Sequence, residues 1–428
     1  MRRVLLAIPL LLVPIVATAQ NRSEDEYTRY ELLAPDTSSF KITYDVTASS
    51  PGATFFFNPI RKGSVATDES VIDLATGAPL RFEQISGAAA REAGLSTADP
   101  DGEYIKVTLA RPVPADGGAR IRIIKTYADP KSYFRKGDQI VFDRPLGIKR
   151  NAVILPQGYE LIACNIPSQI LEQRDGRVGI SFMNMYPAQA PLVLRARPFT
   201  TPKPSSPMSV AATADRPASA GSSPSPARTE PPPLGGIRVG ERAFQDREIV
   251  YFLQDPATHA FSLYHDYTEV RPGIDKYLNV VRRGSTVSNP SARNLDTGEK
   301  LTVETLEGDA ITRAGIDIGE PVASDSEVVV IRFPAVEAGH SIRLRIEETY
   351  TDAARYALVD GQLMWNRSFG RPRNDIVLPA GWRVTTSSIP TTVALTDDGR
   401  VRLAYVNHRP DAIDVFVKAR PRANQGGD

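Results

Sequence analysis

The sequence predicts an all-β protein: two tandem homologous β-sandwich domains joined by a disordered Pro/Ser-rich linker. Three observations predict it. The chain repeats itself: Tyr30 to Glu83 aligns without a gap on Tyr251 to Glu304 at an offset of 221, and Thr126 to Pro198 on Thr349 to Pro421 at an offset of 223. Inside each repeat, apolar and polar residues alternate with a period of two. Gly- and Pro-bearing turn signals separate these runs, and strong helical periodicity is scarce.

The chain opens with Met1-Arg2-Arg3, an apolar run from Val4 to Val16, and the small-x-small site Ala17-Thr18-Ala19. That order is the order of a secretory signal peptide, residues 1–19, cleaved near Ala19. The apolar run falls short of the ~20 residues that span a bilayer. No later segment is long and apolar enough to do so, so no membrane span is expected in the mature chain. The expected location is periplasmic or extracellular. Loss of Arg2 and Arg3 from 51 basic residues leaves 49 against 50 acidic ones. This balance shows no bias toward nucleic acid or anionic lipid. Cys164 is the single cysteine, so no internal disulfide can form; Ser387 at its place in the second repeat marks a small residue packed in a strand.

The first sandwich is expected over residues 28–198. Phe40, Ile42, Tyr44 and Val46 alternate with polar residues, as do Ile121 and Ile123, then Val178, Ile180 and Phe182, then Leu192 and Leu194. The second, residues 247–421, matches them with Phe261, Leu263, His265 and Tyr267, then Leu344 and Ile346, Val401, Leu403 and Tyr405, and Val415 and Val417. Turns are expected at Pro51-Gly52, Thr76-Gly77 and the hairpin tip Asp175-Gly176, with Pro272-Gly273, Thr297-Gly298 and Asp398-Gly399 as their counterparts. Short helices are expected within Ala88 to Leu95 and Asp309 to Ala314. Arg150-Asn151-x-Val153-x-Leu155-Pro156-x-Gly158-Tyr159 recurs as Arg373-Asn374-x-Ile376-x-Leu378-Pro379-x-Gly381-Trp382. It reads as strand, Pro-Gly corner and second strand, with the aromatic sealing one end of the core. Between the sandwiches, residues 199–246 are rich in Pro, Ser, Thr and Ala and are expected to be mostly disordered. Extended, that stretch reaches on the order of 100 Å.

Recognised catalytic patterns are absent from the sequence. The four histidines, His259, His265, His340 and His408, all fall in the second repeat. His259 and His265 lie on one predicted strand, roughly 20 Å apart at ~3.3 Å per residue, too far to share a metal ion. There is no His-Glu-x-x-His, Cys pair, EF-hand loop, Gly-x-Ser-x-Gly or phosphate-cradling Gly-rich loop. No metal or other cofactor is expected, and the chain is expected to be non-enzymatic.

Polar residues kept by both repeats mark the candidate ligand-binding positions: Arg61, Tyr133, Arg144, Arg150 and Asn151 in the first, Arg282, Tyr356, Arg367, Arg373 and Asn374 in the second. One reading gives Arg as an anion fork and Tyr as a stacking surface. The other has Arg–Asp pairs, Asn and Tyr satisfying loop backbone within the fold.

Each repeat also has a cadence of strands and turns. In the second it is Tyr251-x-Leu253, Pro256-x-Thr258-His259-x-Phe261, Asp296-Thr297-Gly298-x-x-Leu301, Phe333-Pro334, Gly339 and Thr349-Tyr350; the first carries Leu74-Ala75-Thr76-Gly77-x-x-Leu80. This cadence resembles the non-catalytic N-terminal β-sandwich domain of M1 and M61 metallopeptidases, over about the first two-thirds of each repeat. The resemblance implies a fold and a packing or substrate-presenting role. The zinc-binding His-Glu-x-x-His helix is absent, so no catalytic residue carries over.

The expected function is that of a secreted or periplasmic binding or adaptor protein whose duplicated modules engage an envelope protein, peptide or polysaccharide bivalently. The alternatives are a hydrolase of envelope polymers with its site between the modules, and a purely structural envelope protein.

Overall fold

Alternation governs the strands. Ser39–Ala48 buries Phe40, Ile42, Tyr44 and Val46 and turns the residues between them outward. Every second side chain of a strand points to the same face, so a period of two produces one apolar face to bury. The computed structural model describes residues 26–115, 118–199, 248–407, 409 and 412–422. The signal-peptide reading of residues 1–19, the linker reading from residue 200 to 246, and His408 lie outside the described residues. No helix among the described residues is long and apolar enough to cross a membrane.

The protein is all-β, built from two homologous β-sandwich repeats. Its only α-helices among the described residues are Gly87–Glu92 and Asp309–Arg313; the second lies within its expected stretch and the first begins one residue before Ala88. The expected turn glycines take left-handed backbone: φ is 77° at Gly52, 81° at Gly176 and 79° at Gly399. Side chains with a Cβ rarely adopt such values.

The chain divides into two compact units. One holds Thr43–Lys62 and Asp68–Lys125. In it, Glu103–Thr108 pairs on either side with Phe55–Ile60 and Phe82–Ser86, and the short helix packs Ala90 against Ala98 and Tyr104. Arg122 donates both Nε and Nη2 to the Asp45 carboxylate, at 2.6 and 2.7 Å.

The other unit holds Arg29–Ile42, Gly63–Thr67 and the described residues from Thr126 on. In the second repeat one ladder runs through successive antiparallel pairs. Thr286–Asn294 pairs with Ile342–Thr351, which pairs with Ala260–Glu269, which pairs with Glu248–Leu253. Glu248–Leu253 then runs parallel to Arg373–Val377. The ladder continues through Val401–Val406, Trp382–Leu395, Ile413–Pro421 and Gln362–Phe369 to Tyr356–Val359. The sheet curls over itself: Phe261 meets Trp365 edge-on at 4.9 Å, and Tyr251 stacks on Phe369 at 5.4 Å. Trp365 is fully buried at the centre of this aromatic core. A separate three-stranded sheet, Lys276–Val280, Glu327–Arg332 and Thr302–Glu307, covers Ile311, Ile316, Val328 and Val330.

The strand Tyr159–Glu172 belongs to the first repeat and Trp382–Leu395 occupies its place in the second. Each carries a register shift at the same place, Leu161/Ala163 and Val384/Thr386. Within this unit the two strands pair with each other, antiparallel.

Two expectations are corrected. His259 is not on a strand: with φ of 57° it ends the turn Pro256–Thr258, which Asp255 caps by accepting the Ala257 N–H at 2.9 Å. A proline-led turn takes up the residues before Ala260. Tyr159 and Trp382 are half-buried rather than seals of the core; that role falls to Tyr133, Tyr356 and Trp365, all fully buried.

Candidate functional site

An arginine ringed by aromatic side chains organises each repeat: Arg144 is buried and Arg367 half-buried. Arg144 on Gln139–Leu146 lies within 5.9 Å of the ring centres of Tyr30, Phe40 and Tyr127. Arg367 on Gln362–Phe369 takes the same place among Tyr251, Phe261 and Tyr350, with Trp365 added. The negative faces of aromatic rings make such a box favourable for a guanidinium.

The two arginines are held differently. Arg144 Nη1 donates to Asp129 Oδ2 at 2.8 Å and to Ser132 Oγ at 3.3 Å. Asp129 also accepts from Ser64 Oγ and the Ser132 N–H. Burial works to raise the pKa of Asp129, but these bonds and the Arg144 charge outweigh it and leave it lowered. In the second repeat, Arg355 stands where Ser132 is. Arg367 Nη1 is 3.6 Å from Asp352 Oδ2, an ion pair too long for a hydrogen bond. Both Nε and Nη1 of Arg367 are buried with no hydrogen-bond partner in the structure.

Arg367 lines a cavity of about 340 Å³ in the second repeat, together with Arg282, Arg371, His265, Asn279 and Glu348. Arg282 follows the strand Lys276–Val280, and its pKa is lowered by desolvation of its head and by the nearby Arg367 and Arg355 charges. Glu348, on Ile342–Thr351, is 4% exposed. Asn279 Nδ2 reaches Glu348 Oε1 at 2.9 Å, Oε2 at 2.7 Å and the Tyr350 hydroxyl at 2.9 Å. Burial pushes the Glu348 pKa up to about 7 despite these bonds, and the Glu327 charge pushes the same way.

The equivalent of Glu348 in the first repeat is Lys125, also 4% exposed. Lys125 Nζ donates to the side-chain oxygen of Asn58, the equivalent of Asn279. An amide carries a donor and an acceptor, so one asparagine position serves either sign of neighbour. The second repeat has thus exchanged a buried cation for a buried acid, and Tyr44 and Ile148 for His265 and Arg371.

Of the ten positions singled out from the sequence, the cavity gathers Arg282, Arg367 and Asn374. Tyr133 and Tyr356 are fully buried, and their hydroxyls donate to the backbone oxygens of Leu33 and Gln254. Asn151 and Asn374 donate to the carbonyls of Ile148 and Arg371, at 2.7 Å each, pegging the turn before their strands. Arg150 and Arg373 are exposed at strand starts; Arg373 lines a smaller cavity of about 80 Å³. Arg61 is exposed in the unit formed by Thr43–Lys62 and Asp68–Lys125. Glu348, His265 and Arg371 were not among the ten. Their signal was present in the offset alignment as a change of charge or polarity beside kept residues, where attention to shared residues passes over it.

No protein-family model matches the chain, and no curated protein matches it. Solved structures resemble parts of it. An aminopeptidase N family protein from Idiomarina loihiensis is 11% identical, with a TM-score of 0.24, over 40% of this chain and 29% of its own. An M1 zinc metallopeptidase from Deinococcus radiodurans is 14% identical, with a TM-score of 0.27, over 41% of this chain and 43% of its own. The C-terminal domain of the Streptococcus pyogenes antigen I/II-family protein AspA is 7% identical, with a TM-score of 0.17, over 89% of this chain and 95% of its own. The resemblance to M1 metallopeptidases therefore covers only about 40% of the chain and less than half of theirs.

Proposed function

We propose that the protein is a secreted or periplasmic, non-enzymatic binding protein. Its second repeat captures an anionic group carried by an envelope protein, peptide or polysaccharide. The observation that carries this reading is Arg367, whose Nε and Nη1 are buried without hydrogen-bond partners at the wall of an open cavity that Arg282 and Arg371 also line. Buried donors left unmade cost about 1–3 kcal/mol each, and a shift of the guanidinium that turns them onto an oxyanion recovers that cost. A planar guanidinium offers paired donors to a carboxylate or phosphate. The cavity volume of about 340 Å³ falls in the range of small-ligand sites. The first repeat differs at this point: Arg144 is already satisfied by Asp129 and Ser132.

The test is retention of the mature protein on an envelope fraction separated into protein and polysaccharide. Arg367→Ala is expected to abolish retention by one fraction, while Glu299→Ala, an exposed position outside the cavity, leaves it unchanged. Retention indifferent to Arg367→Ala, with the variant folded, would remove the pocket from the function.

A further inference from the structure

We propose that anion capture in the second-repeat cavity is coupled to uptake of a proton by Glu348. The inference rests on the reading of that cavity as an anion site and adds its regulation.

Glu348 shares the cavity with the arginines that would receive the anion. It is almost fully buried, and its hydrogen bonds come from neutral groups, Asn279 and Tyr350. An anion drawn to Arg282, Arg367 and Arg371 places a second negative charge in a space of about 340 Å³. Two anions in so small a volume repel, and the more buried one lowers the energy by taking a proton. Glu348 is already poised for this: burial brings its carboxyl up to about 7 before any ligand arrives.

The groups facing Glu348 from each neighbouring strand leave it as the titrating member. From Lys276–Val280 comes Asn279; from Glu327–Arg332 comes Glu327, whose own pKa is raised by burial and by Glu307. From its own strand comes Tyr350, whose pKa burial raises further above the neutral range. From Glu248–Leu253 comes Tyr251, raised in the same way, and from Gln362–Phe369 comes Arg367. From Ala260–Glu269 comes His265, whose Nδ1 is 3.5 Å from the Tyr277 hydroxyl; an imidazole lining the same cavity needs its own control. The first repeat shows what the position does without titration: Lys125 there is a cation bonded to Asn58.

The test is titration calorimetry of the full mature chain with sulfate and, separately, with D-glucuronate. Neither probe gains or loses a proton between about pH 6 and 9. Runs in two buffers of different ionisation heat count the protons exchanged. Above about pH 7 the expected result is an uptake approaching one proton per anion and an affinity that weakens about tenfold per pH unit. Glu348→Gln is expected to bind with no proton uptake and a flat profile, and His265→Asn to keep the wild-type slope. Binding by sulfate and glucuronate alike marks recognition of the anion alone; binding by glucuronate only adds recognition of the sugar, and both support the coupling if the slope is present. Binding with a flat profile in the wild type overturns the coupling but leaves the pocket reading intact. A slope abolished by His265→Asn and kept by Glu348→Gln moves the proton to histidine and overturns it too. No binding of either probe by a folded chain overturns the pocket reading and the coupling with it.

Discussion

Ser168 pairs across the junction of the repeats with Thr391, the residue that holds its own place 223 positions later. The flanking pairs obey the same relation: Cys164 faces Val393 and Ile170 faces Ser387, and Ser387 and Val393 are the counterparts of Cys164 and Ile170. The two strands therefore meet about a local two-fold axis, as identical subunits do in an isologous dimer. The charges around it are not two-fold. Glu160 is fully buried between Arg197 at 2.6 Å and Arg422 at 2.7 Å, whereas its counterpart is Arg383, stacked at 3.9 Å over Phe199. Arg420 reaches Glu172 at 3.0 Å. A pair of second-repeat strands would bring together Arg383, Arg420 and Arg422 with no carboxylate from the Glu160 or Glu172 positions. The charge exchange thus favours pairing of unlike repeats.

Glu160→Arg is expected to disrupt this junction. It leaves Arg197 and Arg422 facing a third cation in a buried site, and losing one member of a buried pair costs about 3–5 kcal/mol. Urea unfolding followed by tryptophan fluorescence reads the loss; a change below about 1 kcal/mol would show that the junction contributes little to stability.

The Cys164 thiol is expected to resist modification in the folded protein. Burial raises its pKa, and its Sγ lies 3.3 Å from the Ile166 carbonyl oxygen. A thiol reagent should label it only on unfolding. Cys164→Ser should cost within about 1 kcal/mol, since Ser387 already occupies the equivalent site and donates to the Ile389 carbonyl at 2.7 Å. Rapid labelling at neutral pH would contradict this burial.

Gly87 tolerates no side chain. A Cβ built there lies 1.7 Å from the Asp99 carbonyl oxygen, and the Gly87 N–H donates to Gly102 O at 2.7 Å. Gly87→Ala must push backbone aside and is expected to cost at least about 1–3 kcal/mol, read as a fall in the unfolding midpoint. An unchanged midpoint would mean that the loop around Asp99 yields freely.

Two buried carboxylates are expected to move stability with pH in opposite senses. Glu269 is brought down to about 2: burial opposes this, but Arg271, the Tyr267 hydroxyl and the backbone N–H of Arg271 outweigh it. Its contribution is present above the ordinary carboxyl range and lost as pH falls through about 2. Glu348, raised to about 7, contributes most below the ordinary range, and that contribution is lost as pH rises through about 7. Glu348→Gln is therefore expected to gain on wild type, by on the order of 3 kcal/mol between about pH 4 and 8. Glu269→Gln is expected to lose its disadvantage on acidification. Parallel pH profiles of wild type and either variant would contradict the corresponding assignment.

The sequence by itself determined the strands, the turns and the duplication. Each of those is local: alternation decides which face of Ser39–Ala48 is apolar, and left-handed backbone at Gly176 and Gly399 admits little but glycine. The candidate site was legible only in part. Arg367, Arg282 and Asn374 stood out because both repeats keep them, yet Tyr356 and Asn374 turned out to tie down loop backbone, and nothing local distinguishes a buried tyrosine hydroxyl from an exposed one. Glu348 passed unnoticed because the meaning of a carboxylate depends on what surrounds it, and its surroundings come from strands up to 97 residues away, at Tyr251. Only the tertiary structure decided that Arg144 is satisfied while Arg367 is left with unmade bonds, and that the 159–172 and 382–395 strands pair. The reason is the same in each case: periodicity and backbone dihedrals act within a few residues, whereas burial, desolvation and hydrogen-bond satisfaction are set by partners that only the folded chain brings near.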